Sequence, residues 1–234
     1  LECIDLFLVQ TDEVRDYLAA NGAETKNIKV TGNIKFDAID SMMKEATTIP
    51  SCVQMIFKGL GYPIIVGGSV QDIDEQPLIL DAFTKFLSKY SEAVLILAPR
   101  YPENLIRKAV LQEMLVQRNL SFTYRSLNHD ICPQGCQVVI LDTMGELRDC
   151  YEIASLGYVG RNHNVLEPLL FSKAVFVTGG WETRYPSYPI YQSLIDLGLV
   201  KKVCSPQDLY EAWTKTLVDL THERAVILSN ELAI

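Results

Sequence analysis

Four segments of this chain carry residues whose types and spacing could do chemistry, and each directly follows a short apolar run. Gly67-Gly68-Ser69-Val70-Gln71-Asp72 follows Ile64 to Val66, and Pro99-Arg100-Tyr101-Pro102-Glu103 follows Val94 to Ala98. Asp142-Thr143-Met144-Gly145-Glu146-Leu147 follows Val138 to Leu141, and Gly160-Arg161-Asn162-His163-Asn164-Val165-Leu166-Glu167-Pro168 follows Gly157 to Val159. If the apolar runs are parallel strands, these segments lie outside their carboxyl ends, where open sheets bind ligands. Arg100, in a turn fixed by Pro99 and Pro102, either holds an anion through its guanidinium or pairs with Glu103 on the surface. Met144, Gly145 and Glu146 open an expected helix. Its N-terminus offers unpaired N–H groups and a positive dipole to a phosphate, or else Glu146 merely complements that dipole. His163, Asn164 and Glu167 supply polar groups suited to sugar hydroxyls, and a satisfied helix cap has the same composition.

Several other chemistries are excluded. The glycines at 67 and 68 do not form Gly-x-Gly-x-x-Gly and no Lys-Ser/Thr follows, so neither a dinucleotide fingerprint nor a P-loop is present. Asp72-Ile73-Asp74 has a form that can hold a divalent metal, but such triplets arise by chance, and no metal is expected. Cys132 and Cys136 are not spaced as Cys-x2-Cys, no second pair follows, and His129 stands apart, so the segment reads as a Pro-Gly turn with reduced thiols. His129, His163 and His222 are the three histidines, and none accompanies a Gly-x-Ser-x-Gly nucleophile motif. With 21 basic and 29 acidic residues the net charge is -8, which lacks the basic footprint of a nucleic-acid binder. The apolar stretches fall well short of the roughly 20 residues that span a bilayer. Six thinly spread cysteines suit a reducing compartment.

The elements that must position these segments follow from periodicity. The chain has 234 residues, 48% hydrophobic and 21% charged, the composition of a soluble globular protein. From Pro63 onward the short apolar runs at 64–66, 94–98, 138–141, 157–159 and 175–177 alternate with amphipathic stretches at about 75–90, 102–119, 144–154, 164–172 and 187–197. That alternation predicts an α/β domain with a doubly wound parallel sheet and helices on both faces. Ser205-Pro206 caps a long terminal helix over about 206–230. The first residues form a separate βαβ unit: a strand over Ile4 to Val9, a helix from Thr11 to about Asn21-Gly22, and a strand over Ile28 to Thr31. Pro50 and the Gly59-Leu60-Gly61-Tyr62-Pro63 cluster place a linker or hinge between about 33 and 60. The expected division is 1–38, the last βαβ unit of a truncated preceding domain with a hinge, and 39–234, a ligand-binding domain. The start, without methionine or a basic leader, suggests a chain that begins mid-protein.

Taken in order, Val30-Thr31-Gly32-Asn33-Ile34-Lys35-Phe36-Asp37, Ala98-Pro99-Arg100, Asp142-Thr143-Met144-Gly145-Glu146-Leu147 and His163-Asn164-Val165-Leu166-Glu167-Pro168 resemble the 3-deoxy-D-manno-octulosonic acid (Kdo) transferase family. The resemblance covers nearly the whole chain. It implies a GT-B architecture, of which this chain is the donor-binding half. Its partners would be the donor substrate CMP-Kdo and, through the missing N-terminal domain, a lipid A precursor; no cofactor and no nucleic acid are implied. It places the CMP contacts on Pro99, Arg100, Met144, Gly145, Glu146, Asn164, Val165, Leu166 and Glu167, and gives Lys35 the role of stabilising the transition state. The family's general base is a glutamate of the absent domain, so the resemblance implies an inverting, metal-independent glycosyltransferase whose isolated half binds donor without transferring it. It also implies a full-length protein on the cytoplasmic face of the bacterial inner membrane, touching the membrane only through the missing part, and a soluble fragment. The chain departs from the family pattern at Arg100-Tyr101-Pro102, where Arg-His-Pro is usual, at Ser69-Val70-Gln71, where Ser-Thr-His is common, and at Gly160-Arg161-Asn162, which replaces a longer glycine-rich stretch. The alternative is a binding module that keeps CMP recognition without transfer. A GT-B epimerase acting on a UDP-sugar fits the fold but lacks the Lys-Phe-Asp and Met-Gly-Glu-Leu segments.

Overall fold

The computed structural model describes residues 3–32, 57, 59–71, 74–127 and 135–232. The chain divides into two compact units, Leu1–Ile49 and Pro50–Ile234. The division expected at 38/39 falls outside the described residues, as do Lys35, Asp72, His129 and Cys132.

The first unit is a small βαβ motif of β1 (Phe7–Val9), α1 (Asp12–Ala20) and β2 (Ile28–Val30), with the strands parallel and Phe7 opposite Ile28. Thr11 caps α1 by accepting the Val14 N–H at 3.4 Å, with Asp12 and Glu13 in the first turn complementing the dipole. Gly22, at φ +94°, ends the helix in the left-handed conformation that glycine adopts without a Cβ clash. Val9, Ala23 and Ile28 form its core.

The second unit is a seven-stranded parallel sheet between two helical layers. In chain order its elements are β3 (Ile64–Val70), α2 (Glu75–Leu87), β4 (Val94–Pro99), α3 (Leu105–Gln117), β5 (Phe122–Tyr124), β6 (Val138–Ile140), α4 (Leu147–Ile153), β7 (Leu156–Val159), α5 (Leu166–Leu170), β8 (Ala174–Thr178), α6 (Tyr188–Asp196), β9 (Val200–Val203) and α7 (Pro206–Leu232). The strand order β5-β6-β4-β3-β7-β8-β9 is the expected doubly wound topology. The chain starts at the centre with β3, builds outward on one side, then returns to β7 and builds outward on the other. The switch point therefore lies between β3 and β7.

Alternation along the strands sorts the core onto two faces. Ile65, Leu95, Leu97, Val138 and Ile140 pack with Ile79, Phe83 and Phe86 of α2, Leu111 and Leu115 of α3, and Trp213 of α7. Val66, Ile96, Val139, Val175 and Val177 pack with Cys150 and Tyr151 of α4 and Tyr191 of α6. Because both faces are covered, these strands read as continuous apolar runs. The two strands the run-based reading omits are the edges. β5 is three residues and half-covered, and β9 is Val-Lys-Lys-Val, whose two lysines face solvent; such charge discourages edge-to-edge pairing.

Two helix starts differ from expectation. α3 begins at Leu105, because the Asn104 side chain accepts the N–H groups of Ile106 and Arg107 at 3.1 Å. α4 begins at Leu147, so Met144 and Gly145 belong to the preceding loop, with Gly145 at φ +89° and Met144 90% exposed.

Candidate functional site

The exits of β6, β4, β3 and β7 are neighbours along one edge of the sheet. Three strand spacings of about 4.8 Å make that row roughly 14 Å wide. At its centre the backbones pack closely. A Cβ on Gly68 would lie 2.0 Å from the Tyr151 hydroxyl, and one on Gly160 would lie 2.0 Å from the Ser69 carbonyl oxygen. Glycine is therefore demanded on both sides of the switch point.

Glu75, in the first turn of α2, ties the row together. Its carboxylate is 1% exposed and accepts the Gln71 N–H at 3.1 Å, the Arg161 N–H at 3.1 and 3.3 Å, the Tyr158 hydroxyl at 2.8 Å and the Thr178 hydroxyl at 2.8 Å. The exits of β3, β7 and β8 thus meet on one buried anion. Burial, reinforced by the adjacent Glu75 charge, pushes the Tyr158 hydroxyl far above its ordinary pKa, so it stays protonated and donates. The Arg161 guanidinium completes the group, bonding both Asp74 oxygens at 2.5 Å with Nε 3.8 Å from Glu75. Asn162, at φ +64°, fastens the other side: it accepts the Glu182 N–H at 2.8 Å and donates to the Glu182 carboxylate at 3.3 Å. The short Gly160-Arg161-Asn162 loop is therefore held from both flanks.

Beside this group, the exits of β4 and β6 enclose a small pocket lined by Gln76, Pro99, Arg100, Tyr101, Tyr124 and Asp142 among others. Arg100 is anchored by its own N–H, which donates to the Val70 carbonyl at 3.0 Å, and its guanidinium lies 5.6 Å from the Tyr101 ring centre. Arg107 lies closer to that ring, at 4.3 Å. Tyr101 thus serves as a face for cations where a titratable histidine is usual. Asp142 accepts the Ser126 N–H at 2.9 Å and the Ser126 hydroxyl at 2.7 Å, with Lys108 at 3.7 Å. The Lys108 ammonium also sits 3.8 Å over the Tyr124 ring. Burial raises the Tyr124 hydroxyl above its usual pKa.

The remaining segments are placed as follows. Glu146 is the N-cap residue of α4, but its side chain does not cap the helix. One oxygen bonds the buried Arg125 at 2.7 Å and the other bonds the Thr143 hydroxyl. With the carboxylate so occupied, the exposed Met144-Gly145 backbone is what this loop presents. Asn164 accepts the Leu166 N–H at 3.2 Å and donates to Glu167 at 3.1 Å. Val165 and Leu166 have buried side chains, and with the Leu166 N–H taken by Asn164 it is the Val165 backbone that this turn offers a ligand. The structure thus brings Pro99 and Arg100 into one pocket, sets Met144 to Glu146 at the next exit, and puts Asn164 to Glu167 across the switch point.

Asp74 is spoken for by Arg161, and among the described residues no group of three or more His, Cys, Asp or Glu side chains is placed to hold a metal ion. Cys136 donates its thiol to the Val138 carbonyl at 3.1 Å, and burial raises its pKa.

Sequence reasoning missed Glu75, Arg125 and Gln76. A tyrosine within the apolar run Gly157-Tyr158-Val159 was the available signal for Glu75, because a buried hydroxyl requires a partner. Arg125 carried no local signal: its meaning comes from β5, which places it against Glu146.

No family model matches the chain. It is 28% identical over 229 residues to the 3-deoxy-D-manno-octulosonic acid transferase of Haemophilus influenzae, covering 94% of this chain and 51% of that protein. The chain therefore spans about half the length of that relative. Among solved structures it is similar to the C-terminal CMP-Kdo binding domain of WaaA from Acinetobacter baumannii, with TM-score 0.59 and 23% identity over 85% of this chain and 98% of that one. It is also similar to UDP-GlcNAc 2-epimerase from Neisseria meningitidis bound to UDP-GlcNAc, with TM-score 0.57 and 15% identity over 94% of this chain and 54% of that one. The likeness to Kdo transferases that the motifs carry thus extends along the chain, and the structural neighbours share its GT-B type α/β fold.

Proposed function

We propose that this chain is the donor-binding part of a Kdo transferase, taking CMP-Kdo at the carboxyl edge of its sheet for transfer to a lipid A precursor. The observation that carries the proposal is the placement of Pro99-Arg100, Met144-Gly145-Glu146 and Asn164 to Glu167 at the exits of β4, β6 and β7, along one edge of the sheet about the switch point. Cleaving the bond at the anomeric carbon puts negative charge on the departing CMP phosphate. Preorganised cations and N–H groups aimed at that charge lower the barrier. Arg100 and the backbone at Gly145 and at Val165 supply them here, and Lys35 adds a cation in the transition state. Transfer proceeds with inversion and without a divalent metal. The general base and acceptor surface are provided outside this chain, together with contact to the inner membrane, so the 234-residue chain binds donor without turnover.

Calorimetric titration tests the reading. CMP is expected to bind more tightly than UMP or AMP, to be unaffected by EDTA, and to weaken by about 1.5 to 3 kcal/mol on Arg100→Ala, the worth of a charge-assisted hydrogen bond. Absence of CMP binding, or UMP binding as tight, would overturn it. The second reading, a binding module without transfer, is favoured by the fastening of the 160–162 loop to Glu75 and Glu182. Transfer by a version of the protein extended to the length of its relatives, impaired by Lys35→Ala more than CMP binding is, decides for the enzyme.

A further inference from the structure

Gln76 is 2% exposed, in the first turn of α2, and lines the pocket beside Arg100, Tyr124 and Asp142. Its backbone N–H is fixed on the Gln71 carbonyl at 3.0 Å, so the side chain is aimed by the helix start. Its Oε1 is fully buried and has no hydrogen-bond partner among the described residues. A buried amide oxygen left unsatisfied is destabilising, which is unusual in a helix that otherwise supplies core. The pocket as a whole leaves only about 10 Å³, close to one water-sized sphere. It admits one small exocyclic group rather than a ring.

The charged groups around the pocket, Arg100 among them, narrow the choice. Lys108 is engaged by Asp142 at 3.7 Å and by the Tyr124 ring, and Arg107 lies over Tyr101. The Asp142 carboxylate adds a second set of acceptors, itself held by Ser126. A neutral donor suits the unpartnered Gln76 oxygen, whereas a carbonyl set against it would bring two acceptors together. Carboxylates and amides accept from the exocyclic amine of cytosine on these grounds.

We propose that Gln76 reads the nucleobase, its Oε1 accepting a hydrogen bond from the cytosine 4-amino group and so setting the preference for cytidine over uridine nucleotides. This rests on the proposed function, since it takes the pocket to be the base end of the CMP site. The test is the ratio of UMP to CMP dissociation constants, measured by calorimetry on the native chain, Gln76→Met and Gln76→Glu, with urea unfolding of each to establish that it is folded. Methionine keeps the length and loses the acceptor, so the ratio should fall about tenfold, the equivalent of about 1.4 kcal/mol. Glutamate keeps an acceptor and should retain the preference. A folded Gln76→Met chain with an unchanged ratio, or one that loses CMP and UMP equally, overturns the inference while leaving the CMP reading standing. Failure of the native chain to bind CMP sinks the reading itself. Should Gln76→Met not fold, loss of the preference in Gln76→Glu overturns the inference in its place.

Discussion

Removing the Glu75 carboxylate should be among the most damaging single changes available in the second unit, and the structure gives its size. In Glu75→Ala the two hydroxyls are the lesser loss, because Tyr158 and Thr178 already lie 3.2 Å apart and can bond each other. The Gln71 and Arg161 N–H groups have no such recourse, since both were accepted by Glu75 alone in this region. Two orphaned donors at about 1 to 3 kcal/mol each give roughly 2 to 6 kcal/mol. Breaking a buried ionic group by removing one partner falls in the same range, about 3 to 5 kcal/mol. Asp74 is the internal control, because it bonds the same Arg161 but is 54% exposed against 1% for Glu75. Asp74→Ala should therefore cost under about 1 kcal/mol, as exposed ion pairs do. Urea titration followed by far-UV circular dichroism measures both, with the slope expected to stay constant if the unfolded state is unaltered. A Glu75→Ala loss no larger than that of Asp74→Ala would refute the reasoning, because it would mean that water replaces the carboxylate without penalty.

Arg125→Ala removes one side of a pair in which the arginine is 8% exposed, so about 3 kcal/mol of stability should be lost in the same urea assay, and a loss below 1 would mean that Glu146 relaxes to solvent. Burial raises the hydroxyls of Tyr151 and Tyr158 above their ordinary value near 10, so the folded chain keeps protons that the unfolded chain releases. Stability should be full below about pH 10 and fall above it by about 1.4 kcal/mol per pH unit for each tyrosine, with Tyr151→Phe shallower by one such increment in unfolding measured from pH 9 to 11.

The order of elements was legible because it depends on local signals that tertiary structure reinforces. Pro206 opens α7, Thr11 caps α1, and strands buried on both faces leave unmistakable apolar runs. What could not be read depends on contacts between distant residues. The edge strands β5 and β9 were omitted because one side of each faces solvent and the apolar run disappears. With β5 went Arg125, whose partner Glu146 is fixed only by the β5–β6 pairing. Met144 and Gly145 were assigned to a helix on composition, but a glycine at φ +89° breaks helical geometry, and sequence does not record that angle. Pro99 and Arg100 lie at the β4 exit, where strand-exit reasoning places them, since a parallel strand's carboxyl end dictates where the next residues emerge.

The shortened loop at the β7 exit gains its meaning from this hub. A flexible glycine-rich stretch must be ordered when ligand binds, at about 1 to 2 kcal/mol per residue of backbone entropy. Here Arg161 is held by Glu75 and Asp74, and Asn162 by Glu182, so the segment leading into Asn164 is ordered by folding instead. On the proposed function, a donor nucleotide would meet a preformed surface, which favours affinity over adaptability. The same fastening removes freedom that a closing active site would use. On the proposed function, the balance between affinity and adaptability thus lies at Arg161 and Asn162, the first held by the buried Glu75 carboxylate and the second by Glu182.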